Sequence, residues 1–366
     1  MKIQAAVVTQ AGQPFEVKTL ELAPPAKGEV LVRVRAAGIC HSDWNVRTGA
    51  TEHPLPAVAG HEGAGIVEST GPEVSSVRPG DQVALSWAPS CGSCFFCDRR
   101  RPALCETWQR PLWEGTMLDG TTRLALDGQP VYHYCGLACF ADHAVVPEAS
   151  CVPIDPKVPL EVAAMIGCSV TTGLGAVLNT AQVERGSSVA IYGMGGVGLS
   201  ILAGARLAGA KQLIAVDRHD SKLEMARAFG ATEVLKADES TRAEILKLTC
   251  QRGADYVFEA VGSPKVQEAS FGSVRPGGKL VLVGLSPMGS ETDFPGSIIT
   301  RQEKTVLGSY YGSCDPQRDF PLYAGLYLDG QLELDSLVSK TYALQEINAA
   351  YSDMLEGKVA RGAILF

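Results

Sequence analysis

One stretch constrains this chain more than any other. An apolar run, SSVAIYG, opens into Gly193-x-Gly195-x-x-Gly198, and a run of small residues, LSILAGARLAGA, leaves it with helical spacing. A second apolar run, KQLIAVD, follows and ends at Asp217. Strand, glycine turn, helix and strand in that order form a parallel βαβ unit, because parallel neighbours need a crossover element between them. The turn (Gly193, Gly195, Gly196, Val197 and Gly198) is tight and lets the backbone approach a pyrophosphate resting on the helix N-terminus. Asp217 lies about twenty residues beyond it, where a carboxylate bonds both ribose hydroxyls and repels a 2′-phosphate. NAD is therefore expected over NADP, with Arg218 as the neighbouring guanidinium that would act in the opposite sense.

Strand and helix keep alternating after that unit, through SKLEMARAFGA, TEVLK, ESTRAEILKLTCQ, ADYVFEAVG, a helix near 265–274 and GGKLVLVG. KTVLGSYYG (304–312) completes six strands, and the pattern predicts a doubly wound parallel sheet with helices on both faces. The first 150 or so residues have another rhythm. VLVRVRAAGI (30–39), GAGIVEST (63–70) and RPGDQVAL (78–85) are short strands punctuated by Gly and Pro, which predicts an all-β, barrel-like domain. LEVAAMIGCSVTTGLGAVLNTA has helical apolar spacing with a glycine-rich interruption, and 107–135 shows so little periodicity that a loop lobe is expected there. The tail 316–366 is mixed and ends in KVARGAILF, which is expected to rejoin the first domain. At 366 residues the chain exceeds what one core of about 250–300 residues holds. The boundaries expected are 1–168, 169–311 and 312–366.

Composition narrows the classes of function. With 46% hydrophobic and 20% charged residues the chain is globular, and a net charge of −8 argues against nucleic acid or an anionic membrane as partner. No uninterrupted apolar run reaches the length of a membrane span, and MKIQAAVVTQ has no basic-then-apolar leader, so a cytoplasmic protein is expected.

Four of the eleven cysteines fall in CGSCFFCDRRRPALC, as Cys91, Cys94, Cys97 and Cys105. Thiolates so spaced close around one Zn²⁺ from a single loop near 86–110 and leave no open position, so this site is architecture. Disulfides and an iron–sulfur cluster are the alternatives that spacing leaves open. Cys135, Cys139, Cys151, Cys250 and Cys314 read as core or loop thiols. Cys40 and His41, His61 and Glu62, and Cys168 are scattered metal-capable residues, and by spacing alone each is more often packing than ligand.

The ordered set GICHSD, GHEGAGIV, RPGDQV, the four-cysteine loop, GTMLDGTTRL, GCSVTTGLGA, GMGGVGLS, FEAVG and KVARGAILF runs nearly end to end. Through it the chain resembles the zinc-dependent medium-chain alcohol dehydrogenases, both liver-type and aryl-alcohol. The resemblance implies a Rossmann-type domain inserted into a GroES-like β-rich catalytic domain, and two zinc ions per subunit. It implies that Cys40, His61 and Cys168 hold a catalytic zinc with an open fourth position, Glu62 standing beside it. Zinc would act as Lewis acid on an alcohol or aldehyde oxygen while hydride passes to or from NAD. Ser42 matches the hydroxyl that begins the proton relay, but Asn45 replaces a surface His and cannot finish it as a base. His41 stands where many members carry a pyrophosphate-binding Arg, Arg361 matches a second pyrophosphate contact, and Lys222 matches a lysine near the adenosine ribose. Trp87 matches a pocket-lining aromatic; if Trp44 and Trp108 join it, a primary aryl or allylic alcohol is the expected substrate.

A thiol-dependent formaldehyde dehydrogenase acting on a glutathione or mycothiol adduct is the rival, though Arg110 lies one position off the glutathione-dependent pattern. A non-catalytic dinucleotide-binding scaffold is a rival of another class, which would have no use for Cys40, Ser42, His61 and Cys168 together. The 107–135 segment resembles an insertion of dimeric members, so a homodimer joined through strands near 280–312 is expected.

Overall fold

A computed structural model describes residues 1–366. Chain contacts divide it into two compact units, Met1–Cys168 with Asp315–Gly330 and Leu334–Phe366, and Ser169–Cys314 with Gln331–Glu333.

The second unit is built on a six-stranded parallel sheet in the order Glu233–Lys236, Gln212–Asp217, Ser188–Tyr192, Ala254–Glu259, Val274–Leu282, Thr305–Gly308. Its central strands are apolar along their length because helices cover both faces: Val189, Ala190, Ile191, Ile214, Ala215, Val257 and Phe258 have no exposed surface. Strand order runs outward in both directions from Ser188–Tyr192, so the loop after that strand lies at the switch point where open α/β sheets bind ligands. The glycine turn stands there. Gly193 has φ +96°, and a Cβ on Gly198 would meet the Gly193 carbonyl oxygen at 1.8 Å, so the helix Gly196–Leu207 starts in direct contact with the strand end.

The first unit holds a closed barrel of Lys2–Val8, Glu16–Leu22, Leu124–Leu126, Gln129–His133 and Ala57–Val58, and a seven-stranded sheet. At the centre of that sheet Glu29–Gly38 alternates inward valines (Val30, Val32, Val34) with outward Arg33 and Arg35. It pairs with Gly63–Thr70 on one side, and on the other with His143–Pro147 and the C-terminal strand Arg361–Leu365. The end of the chain thus completes the sheet begun near its start.

The segment 107–135 is not a loop lobe. Glu106–Glu114 is a helix, and the two strands that follow belong to the barrel. Pro111 inside the helix disguised its period, and strands of three and five residues are too short for alternation to show. A buried charge knot fastens this segment. The Arg123 guanidinium donates to Glu29 Oε2 at 2.7 Å and Oε1 at 2.5 Å, and to Asp119 Oδ2 at 2.7 Å. The Arg123 backbone N–H donates to His133 Nε2 at 2.9 Å. Burial first, then the Arg123 charge, pushes His133 down to about 3, so it remains a neutral acceptor.

The run Leu160–Ala181 is helical throughout, and by length and composition alone it is apolar enough to cross a membrane. Most of it is buried inside the protein, which makes it a core helix; Gly167, Ser169 and Thr171–Gly173 break the apolar run that would otherwise have marked it.

Arg123→Ala would leave the Glu29 carboxylate buried without its cation. We expect a loss of about 3–5 kcal/mol in denaturant unfolding, as for other broken buried pairs. A loss below about 1 kcal/mol, the range of exposed pairs, would show that the knot is solvated.

Candidate active site

Cys40, His61, Glu62 and Cys168 come from three places in the chain, and one donor atom from each lies within 4.8 Å of all the others. Cys40 lies two residues past the central strand and is the N-cap position of the helix His41–Thr48. His61 and Glu62 precede the paired strand Gly63–Thr70. Cys168 projects from a π turn, Ile166–Val170, a local widening that recurs where helices carry functional side chains. All four are buried.

The imidazole is oriented from behind. Asp43, fully buried, takes the Gly60 N–H at 2.7 Å and His61 Nδ1 at 3.0 Å on Oδ1. A carboxylate only accepts here, so Nδ1 carries the proton and Nε2 turns its lone pair into the cluster, 3.4 Å from Cys168 Sγ. Asp43 is a functional residue that sequence reading did not single out. Its signal, an acid in the first turn after Cys40, gains meaning only when His61 is brought to it.

Cys168 and Cys40 shift in opposite directions. Hydrogen bonding from Cys168 holds the Cys40 thiol well below its usual range, while the same contact and then burial push Cys168 well above it. Although burial opposes it, Asp43 and the two cysteines push His61 well up, and burial raises both Asp43 and Glu62. The negative groups around His61 thus favour positive charge at this spot, which a bound dication would supply while leaving the imidazole neutral. Two sulfurs and an imidazole nitrogen in one small buried volume fit zinc, a borderline-soft dication. Glu62, the fourth donor, is held by the Arg361 fork, with Arg361 Nε 3.1 Å from Oε2 and Nη2 on Oε1. Only glycine leaves room for this carboxylate at position 38, where a Cβ would stand 1.9 Å from Glu62 Oε2.

The other sequence-singled residues fall as follows. Ser42 Oγ lies 3.7 Å from Cys40 Sγ, half-buried. His41 is exposed at the start of its helix, and Asn45 is half-buried in it. Trp87 stands edge-on to His61, centroids 6.4 Å apart at 85°. Tyr134, which sequence reading passed over in an aperiodic segment, does the same at 5.6 Å and 88°. Trp44 and Trp108 do not join them. Trp44 packs on Tyr351 with Arg47 over its ring, and Trp108 packs with Leu112 against the four-cysteine loop. Their helices turn these rings toward other partners. Arg110 is 83% exposed and bonded to Glu114 at 2.7 Å.

Cys91, Cys94, Cys97 and Cys105 also lie within 4.8 Å of one another, and no cysteine is in a disulfide. A tetrahedron of Zn–S bonds puts sulfurs about 3.8 Å apart, and Cys94 and Cys105 are 3.9 Å apart. That fits one ion rather than an iron–sulfur cluster. A Thr107 hydrogen bond leads in drawing Cys91 down to about 6, while burial pushes Cys97 up to about 12. Four such thiols cannot all ionise without a cation.

In the other unit, Asp217 is clamped by backbone. Oδ2 accepts the Met194 N–H at 2.8 Å and Oδ1 the His219 N–H at 2.9 Å, which fixes the carboxylate beside the glycine turn. The first N–H groups of Gly196–Leu207 have no partner within the helix, the usual anion site. Arg218 Nε donates to His219 Nε2 at 2.9 Å, and Lys222 is buried in the first turn of Asp220–Ala228.

Residues 26–156 match the alcohol dehydrogenase GroES-like domain family and residues 196–328 the zinc-binding dehydrogenase family. The chain is 39% identical to the NDMA-dependent alcohol dehydrogenase of Amycolatopsis methanolica, over 100% of this chain and 99% of that one. It is 37% identical to the S-(hydroxymethyl)glutathione dehydrogenase of Paracoccus denitrificans, over the whole of both. The crystal structure of benzyl alcohol dehydrogenase from Acinetobacter calcoaceticus superposes with a TM-score of 0.94 at 35% identity, covering 100% of this chain and 99% of that one.

Asp43→Asn keeps the shape of the His61 partner and removes its charge. We expect zinc held at least about 10-fold more weakly in chelator competition. Unchanged affinity would make Asp43 a packing group only.

Proposed function

The chain belongs to the zinc-dependent medium-chain alcohol dehydrogenases, and from that premise we propose that it interconverts a primary aryl or allylic alcohol and its aldehyde with NAD. It is an oxidoreductase acting on a small molecule. The observation that supports the substrate reading is the pair of aromatic rings, Trp87 and Tyr134, each set perpendicular to His61 of the donor cluster. A flat, apolar substrate would replace water against those rings.

Zinc held by Cys40, His61 and Cys168 would supply the Lewis acidity that lets an alcohol lose its proton near neutral pH. NAD, with its pyrophosphate on the glycine turn and its ribose on Asp217, would supply the hydride acceptor. The chain's own groups do the rest. Asp43 holds His61 in the tautomer that presents Nε2, and Arg361 holds Glu62 back in the slot over Gly38. Ser42 takes the alcohol proton. Asn45 has no base to receive it, so the proton passes from Ser42 to solvent by water. The four-cysteine loop holds a second zinc and takes no part in the redox step. The free edge of Thr305–Gly308 can pair with a second copy, and we assign the protein to homodimers.

Oxidation of a hydroxymethyl thiol adduct is the second reading, favoured by the likeness to S-(hydroxymethyl)glutathione dehydrogenase. Against it, Arg110 is exposed and already bonded to Glu114.

A screen of NAD-linked oxidation separates the two. Benzylic and allylic alcohols should give a higher kcat/KM than short aliphatic ones, without glutathione or mycothiol. Strict dependence on formaldehyde with a thiol would overturn the first reading. Metal analysis should find two zinc per subunit, and Cys40→Ala should lose alcohol oxidation while still binding NAD; one zinc in the wild type would remove the catalytic-zinc assignment.

Asp217→Gly should raise use of NADP relative to NAD, measured as the ratio of kcat/KM values. A wild type that already prefers NADP would show that Asp217 has been misread.

A further inference from the structure

One helix joins the four-cysteine loop to Tyr134. Cys105, a member of the cysteine quartet, is the N-cap position of Glu106–Glu114. Trp108 and Leu112, one turn apart on the buried face of that helix, pack with Cys105 against Cys91, Cys94 and Cys97. This cluster is small and separate from the main core of the unit, so the cysteines themselves supply much of what the helix packs on. Where the sulfurs go, the helix goes.

The far end of the helix meets the short turn Tyr134–Gly136. Gly136 has φ +67°, and a Cβ there would stand 3.2 Å from Leu112 Cδ2, so Leu112 lies directly on the backbone of the turn. The helix ends at Gly115, at φ +68°, whose carbonyl accepts the His133 N–H at 2.9 Å. A Cβ on Gly115 would stand 2.9 Å from His53 Cε1 and 2.9 Å from Tyr132 Cβ, which leaves the helix end no slack. His53 stands nearly perpendicular to Tyr134, ring centroids 5.4 Å apart at 76°, and its Nδ1–H donates to the Pro54 carbonyl at 2.9 Å, which fixes the ring. The helix therefore reaches the buried Tyr134 by two routes, through Leu112 and Gly136 and through Gly115 and His53.

We propose that Glu106–Glu114 is a strut that sets the Tyr134 ring against the donor cluster, with Leu112 and His53 as positioning residues, so that the four-cysteine lobe governs substrate selection. This rests on the reading that Tyr134 meets the substrate. At about 1.5 Å per residue the nine-residue helix spans about 13 Å and moves as a rigid body. Close-packed contacts pass a shift on, because an interior has few voids to absorb it. Leu112 and His53 act through Tyr134 and are not catalytic residues.

Leu112→Ala empties the contact between the cysteine cluster and Gly136, and Leu112→Met refills it with a similar volume. Trp113→Ala changes the exposed face of the same helix and is the control. The measurement is the ratio of kcat/KM for benzyl alcohol to that for ethanol, with NAD. We expect Leu112→Ala to lower this ratio about 10-fold, through KM for benzyl alcohol rather than through kcat. Leu112→Met should restore it, and Trp113→Ala should keep the wild-type value. His53→Ala, which cuts the second route, should lower the ratio in the same sense and carries the test if Leu112→Ala does not fold. Cys97→Ala, which takes a sulfur from the lobe, should do likewise when folded. An unchanged ratio in any of these folded variants would overturn the proposal. Equal losses on both alcohols would also overturn it, since the helix would then only brace the fold, and so would an equal shift in Trp113→Ala. Tyr134→Ala tells this failure from failure of the reading beneath it. If Tyr134→Ala shifts the ratio and the other variants do not, only the strut falls; if Tyr134→Ala leaves it unchanged, Tyr134 does not meet the substrate and both fall.

Discussion

Cys40, Asp43, Glu62 and Cys168 are four acidic groups buried in one small volume, against which the protein sets only the Arg361 guanidinium and the His61 ring. Burying charge without compensation is among the costliest things a fold can do. Much of the first unit answers to that constraint. The C-terminal strand returns to the central sheet and brings Arg361 to Glu62, Gly38 gives up its side chain to make the space, and the Asp43 carboxylate is tied to a backbone N–H and to His61. What remains short of positive charge is the pair of buried cysteines beside His61, which is where a dication fits.

A second buried charge, Arg123 with Glu29, does similar work at the barrel. It is a closed set, with every carboxylate oxygen of Glu29 on a guanidinium nitrogen, and it ties the aperiodic 119–133 segment to the central strand. The two knots differ in one respect. The Arg123 knot already contains its cation and is structural, whereas the cysteine cluster needs a cation from outside and can do chemistry.

Legibility followed chain distance. The glycine turn, the parallel sheet and the four-cysteine loop were readable because each is written within one contiguous stretch, where period and spacing carry the geometry. The helix Glu106–Glu114 and the barrel strands after it were not, since Pro111 broke the one period and the strands were too short to show the other. The aromatic residues were divided wrongly for a related reason. Trp44, Trp87 and Trp108 look alike in sequence, yet only Trp87 faces His61, and Tyr134 completes the pair.

By itself the sequence determined the class of fold, the glycine turn at the end of its strand with an acidic residue after the next one, and which residues could serve as metal donors, because residue identity and local spacing specify these. Tertiary structure decided which nitrogen of His61 faces the donor cluster, that Glu62 is tied to Arg361, and that Asp43 stands behind the imidazole. Those depend on partners brought together from distant strands and helices. Periodicity tells which side of an element is buried, but it does not tell what the buried side will meet.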